Sequence, residues 1–103
     1  MYSIYETSTF KKLVDELLTA EERQELCVYL AHNPESGDVI PNSGGLRKVR
    51  WSRKGMGKRG GSRVIYYNKF QNGEIWLLLI YPKSVTENIP SHILKQIKEA
   101  LND

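Results

Sequence analysis

The run EIWLLLIY at residues 74–81 is apolar at odd and even positions alike, so as a strand it must be covered on both faces. That requirement predicts a central strand, and the rest of the chain must supply its neighbours and its cover. Residues 62–70 read as the strand before it. The Asn-Gly pair of Gln71-Asn72-Gly73 suits a tight hairpin turn with positive φ between the two. Residues 46–52 form a further strand, and residues 2–6 alternate weakly as a short first one.

Helices fill the remaining segments. Phe10, Leu13, Val14, Leu17 and Leu18 recur at i, i+3, i+4, i+7 and i+8, one stripe of an amphipathic helix that Ser8 or Thr9 can cap. Thr19 and Glu22 make a capping box for a second helix, whose stripe is Arg23, Leu26, Cys27 and Leu30. It ends near Asn33-Pro34, because the residue before proline is pushed out of helical geometry. Residues 33–45 are rich in Pro, Gly, Ser and Asn and read as a long ordered loop. Ile93, Leu94, Ile97 and Leu101 mark a last helix with Pro90 in its first turn. The order β-α-α-β-β-β-α over residues 1–103 predicts a single small α+β domain, an antiparallel sheet packed by helices.

Several function classes drop out. No apolar run approaches the ~18 residues of a membrane span, and no basic amphipathic helix marks a membrane surface. MYSIYETSTF lacks the basic start and apolar stretch of a signal peptide, so a cytoplasmic protein is expected. Cys27 is the only cysteine, which excludes an intrachain disulfide and a cysteine-based metal site; a small buried hydrophobe is its expected role. His32 and His92 stand in no metal spacing. No cofactor or metal is implied.

Charge is what remains to be explained. Nine of the fifteen Lys and Arg residues, Arg47, Lys48, Arg50, Arg53, Lys54, Lys58, Arg59, Arg63 and Lys69, lie between Asp38 and Glu74, and none of the twelve Asp and Glu residues does. Solvated faces normally mix signs. A one-sign block repels itself, which costs stability, so a polyanionic partner is the expected reason for it. Alternation places Val49 and Trp51 on one face of their strand and Lys48 and Arg50 on the other. With Val49 and Trp51 packed on helices, Lys48 and Arg50 project from an open face. Arg63, at the start of the next strand, and Lys83, just past the end of the last, meet them there in an antiparallel arrangement. Between the strands, SRKGMGKRGG at residues 52–61 combines glycines with four cations and suits a loop that approaches phosphates closely. It lacks the P-loop spacing, so specific nucleotide chemistry is not implied.

RNA fits this surface. Single strands are held by cations along the backbone and by aromatic stacking, and Trp51, Tyr66 and Tyr67 interleave with the basic residues, although core packing is the commoner role for such rings. Neutralising about five to nine phosphates would make log affinity fall with log salt at roughly −0.7 per contact. The stretch holds no carboxylate pair for Mg²⁺ and no histidine, which disfavours metal-dependent hydrolysis. Attack by the RNA's own 2′-hydroxyl remains. Arginine suits the crowded phosphate, being permanently charged and bidentate. A lysine crowded by cations favours its neutral form, so Lys48 or Lys83 can serve as base or acid. Tyr81 is a further candidate acid, with packing as its alternative role.

These residues also carry a resemblance. NPESGDVIPNSGGLRKVRWSRKGMGKRGGSRVIYY, residues 33–67, resembles the HigB branch of the RelE/ParE toxin superfamily, with GDVIP, GGLRK, GKRGGSR and IYY its most specific pieces. IWLLLIYPK and the final helix extend the likeness over essentially the whole chain. It implies a RelE-like fold similar to small microbial ribonucleases, and an mRNA endonuclease that works in the ribosomal A site. It also implies a co-encoded antitoxin, a helix-turn-helix DNA-binding protein of the HigA type. The resemblance matches Lys48 and Arg50 to the basic pair on the first strand of the RelE sheet. Arg63 matches the arginine opening the next strand, and Lys83 the lysine after the central strand. Those four are the expected catalytic residues; Arg47, Arg53, Lys54, Lys58 and Arg59 are expected to hold RNA or the ribosome. Two departures stand out. Ser84 occupies the place of an arginine in RelE proper, and residues 85–89 lack the tyrosine of its final segment, which leaves the general acid unassigned. The superfamily also contains gyrase poisons of the ParE type, so a non-enzymatic gyrase inhibitor or a plain RNA-binding module are the alternatives.

Overall fold

The computed structural model describes residues 1–51, 61–83 and 89–101. Its elements run β1 (Ser3–Glu6), α1 (Ser8–Leu17), α2 (Ala20–His32), β2 (Asp38–Val39), β3 (Arg47–Trp51), β4 (Ser62–Lys69), β5 (Glu74–Pro82) and α3 (Ser91–Leu101). The five strands form one sheet in the order β1-β5-β4-β3-β2. Neighbours from β2 to β5 are antiparallel, whereas β1 lies parallel to β5, with Ser3 opposite Glu74 and Glu6 opposite Leu77. The result is a small α+β domain with three α-helices and a five-stranded mixed sheet. No described helix is long and apolar enough to cross a membrane.

The apolar run of β5 is covered on both sides, as its composition requires. Ile75, Leu77 and Ile80 join Phe10, Val14, Leu26 and Leu30 of α1 and α2, together with Val64 and Tyr66 of β4. Leu78 and Tyr81 join Leu46, Ile65 and Leu94 on the side of α3. The change of phase has a local cause. Ile65 pairs with Leu79 but Tyr66 pairs with Leu77, so Leu78 is the extra residue of a β-bulge.

Helix ends follow the sequence closely, with instructive shifts. Thr7, rather than Ser8 or Thr9, caps α1: its Oγ1 accepts the Phe10 N–H at 3.1 Å and donates to the Leu78 carbonyl at 3.0 Å. The residue joining β1 to α1 can tie the helix to the sheet, which the later residues cannot. The capping box of α2 is present, with Glu22 N–H to Thr19 Oγ1 at 3.1 Å and Thr19 N–H to Glu22 Oε1 at 2.8 Å. Thr19→Ala is expected to cost about 1 kcal/mol, read as a lower urea midpoint at unchanged slope. Arg23 joins three elements, donating to Glu6 through Nε at 2.9 Å and to Asp15 at 3.0 Å. The Glu6 hydrogen bond raises the guanidinium's pKa against the opposing effect of burial.

Three turns differ from expectation. The hairpin between β4 and β5 has its positive φ at Gly73 (68°), but it is wider than the tight turn expected, because Phe70–Asn72 form a 3₁₀ turn that Gly73 ends. Pro90 stands outside α3 rather than in its first turn, its carbonyl accepting the N–H groups of Ile93 and Leu94. The long loop contains a strand, β2, because Ser43 is wholly buried and closes a turn there. Its Oγ donates to the Ile40 carbonyl at 2.6 Å and accepts the Leu46 N–H at 3.1 Å.

Candidate nucleic-acid interface

Strand register decides which cations meet. Arg50 of β3 lies directly opposite Arg63 of β4, and Arg63 directly opposite Tyr81 of β5. Lys48 starts the adjacent row, opposite Ile65, which is opposite Leu79. Directly opposed residues share a face, with Cα atoms roughly 4.5–5.5 Å apart. Beyond the last residue of β5, the Lys83 N–H donates to the Gly61 carbonyl at 3.1 Å, prolonging the ladder past the Arg63–Tyr81 step. Lys48, Arg50 and Arg63 thus share a face, while Lys83 has its backbone fixed at the same end of the sheet. Two arginines directly opposed are a like-charge pair, which opposes folding.

The face is not open, contrary to the sequence expectation. Leu94 of α3 packs on Leu46, Ile65, Leu78 and Tyr81, with Ile89, Ile97 and Leu101 beside it. The reason is the second apolar face of β5 and β4, which needed a helix of its own. Cover is incomplete at the cationic end. Arg50 is exposed and Lys48 and Arg63 are half-buried. A cavity of about 30 Å³ persists between Lys48, Tyr81, Ile40, Ile65, Ile89 and Leu94.

Tyr81 is only 8 % exposed and belongs to the core under α3. Burial pushes its phenol pKa up, and the positive charge of Arg63 pulls the other way. Its ring therefore packs while its hydroxyl feels the arginine row. Tyr81→Phe is expected to leave the melting temperature within a few degrees, since the ring supplies the packing under α3.

The other predicted residues sort differently. Arg47 is opposite Tyr66 and so on the α1–α2 side. Its Nη1 donates to the carbonyls of Gly37 at 2.8 Å and Glu35 at 3.2 Å. Lys69 sits over Trp76 and donates to the Leu101 carbonyl at 3.0 Å, tying α3 to the sheet. Arg53, Lys54, Lys58 and Arg59 lie outside the described residues, as does Ser84. Of the aromatic rings, Tyr66 is fully buried, and Trp51 leans on Tyr29 with centroids 5.5 Å apart. Cys27 is half-buried, and burial raises its thiol pKa, in keeping with a packing role.

One group on the cationic side escaped the sequence reading. Asp38 of β2 lies directly opposite Lys48. The signal was the Asn-Ser-Gly-Gly segment between DVI and LRK, which reverses the chain and brings the carboxylate back beside the lysine. Among the described residues, no three His, Cys, Asp or Glu side chains gather as they would around a metal ion.

No family model matches the chain. Among solved structures it is similar to a metal-bound toxin from Helicobacter pylori, at 18 % identity and a TM-score of 0.47, over 82 % of this chain and 97 % of that one.

Proposed function

We propose that the chain is the toxin of a type II toxin–antitoxin pair, a HigB-like, ribosome-dependent endoribonuclease acting on mRNA in the A site. The opposed pair Arg50 and Arg63 carries this reading. Folding gains nothing from setting two arginines directly opposite each other on neighbouring strands. A phosphodiester that passes between them relieves the repulsion and acquires the charge stabilisation its transition state needs.

In this reading the ribosome orients the strand, and the 2′-hydroxyl attacks the neighbouring phosphorus. Its proton passes to a base, for which Lys48 and Lys83 are the candidates. Arg50 and Arg63 hold the non-bridging oxygens as charge builds on them. The P–O5′ bond breaks and the departing oxygen takes a proton, for which Tyr81, directly opposite Arg63, is the candidate acid. No metal or cofactor is required. The expected partners are the ribosome, mRNA and a HigA-like helix-turn-helix antitoxin, in the cytoplasm. Adding the protein to translating ribosomes with a defined mRNA and mapping the cut ends tests this. Cuts phased to the codon support it. Intact mRNA together with gyrase-dependent DNA breaks favours ParE-like inhibition, and RNA binding without cutting reduces the chain to a binding module.

A further inference from the structure

The outer face of α2 is built differently from that of α1. Every exposed residue of α1 is polar or charged, Lys11, Lys12, Asp15 and Glu16 among them, the ordinary make-up of a solvated helix face. The inner residues of α2, Leu26, Leu30 and Ala31, are buried. Its exposed stripe Glu21, Glu25, Val28 and His32 runs at i, i+4, i+7 and i+11, with Tyr29 beside Val28. Val28 is 51 % exposed and Tyr29 40 %. The apolar part continues beyond the helix, because the Tyr29 ring leans on Trp51 at the end of β3, and Trp51 is itself only half-buried. Thus α2 is apolar towards the core and apolar again in the middle of its outer face, a pattern that marks a contact site rather than a solvated surface.

Charge narrows the occupant. Glu21 and Glu25 are exposed at one end of the stripe, and no ion pair engages them among the described residues. Arg23, the one Lys or Arg of α2, is turned to Glu6 and Asp15. Carboxylates here repel RNA, and Trp51 packs on the α1–α2 side of the sheet, the opposite side from Arg50 and Arg63. The complementary partner is a protein that carries Lys or Arg beside aliphatic anchors. Its form follows from the surface as well. A helix face has its backbone groups paired internally, so an extended segment laid on it gains no backbone hydrogen bonds. A second helix satisfies its own backbone and packs its ridges into the groove.

We propose that the outer face of α2, with Val28, Tyr29 and Trp51 as its apolar floor and Glu21 and Glu25 as its charged rim, docks a cationic amphipathic helix of a protein partner. This surface goes beyond the RNA chemistry of the sheet and stands whether or not the chain cuts mRNA. The probe is a synthetic helical peptide with leucines along one face and lysines flanking them, titrated into the isotope-labelled full chain and followed by NMR. Amide shifts should be confined to α2 and its neighbours, with the Trp51 indole N–H moving too.

Variants then separate the floor from the rim. Val28→Ser, Tyr29→Ser and the double reversal Glu21→Lys with Glu25→Lys should each weaken binding by about tenfold. Melting temperatures should stay within a few degrees of the wild type, because the altered side chains are exposed. A peptide of the same composition with its leucines scattered around the helix should bind much more weakly; equal affinity for it reduces the effect to bare charge and overturns the proposal. Shifts centred on the Arg50–Arg63 row, or affinity indifferent to Val28 and Tyr29, overturn it too. So does a dimer of the chain alone that Val28→Ser disperses, which would make this face an interface between two copies.

Discussion

Arg63→Ala is expected to lower cleavage of ribosome-bound mRNA by about 10²–10³-fold, the usual cost of losing one preorganised donor to a developing anion. The fold should not suffer. Arg63 is half-buried at the start of β4 with Arg50 directly across from it, so alanine removes a repulsion along with the donor. A thermal midpoint equal to or slightly above that of the wild type is the companion expectation. Arg63→Lys keeps the charge but not the planar fork, and should recover only part of the rate. Single-turnover rates with saturating ribosome complex, set beside melting curves, make the comparison. A variant that cuts as fast as the wild type would remove Arg63 from the chemistry.

Gly37→Ala should be the most damaging small change to the scaffold. A Cβ there would stand 2.9 Å from the Lys48 carbonyl oxygen and 2.9 Å from both Cε1 and the hydroxyl of Tyr66. Two of those three atoms belong to a ring that is fully buried and cannot yield without opening the core. Overpacking of this kind costs about 1–3 kcal/mol. Tyr66→Phe tests the same junction from the other side. It strips the Gly37 N–H and the Pro34 carbonyl of their shared partner, at about 1–3 kcal/mol. Urea midpoints measure both. A Gly37→Ala protein as stable as the wild type would mean that β2 does not pack on Tyr66 as described.

How much of this could be read in advance depended on whether the controlling interaction was local. The capping box at Thr19 and Glu22, the stripe on α1 and the double cover of β5 all follow from spacing within a few residues, and all are present. The side alternation of Val49 and Trp51 against Lys48 and Arg50 held for the same reason. What escaped was long-range. The parallel seat of β1 on β5 joins residues 71 positions apart, and no hairpin signal announces it. That α3 would cover the cationic side was not legible either, although both helix and apolar face were. For the site, register did what composition could not. It opposed Arg50 to Arg63, separated Arg47 from them, and brought Asp38, which had seemed to bound the basic stretch, back beside Lys48.

The chemical identity of the RNA ends tests the central claim most directly. Cleavage by the 2′-hydroxyl leaves a 2′,3′-cyclic phosphate on one fragment and a 5′-hydroxyl on the other, because the attacking oxygen stays bonded to phosphorus and the 5′ oxygen leaves with a proton. Fragments from mRNA on translating ribosomes, treated with a kinase that requires a free 5′-hydroxyl, should label without prior dephosphorylation, and Arg63→Ala should yield almost none. Fragments that carry 5′-phosphate and 3′-hydroxyl ends would contradict the account, since water rather than the RNA would then be the nucleophile.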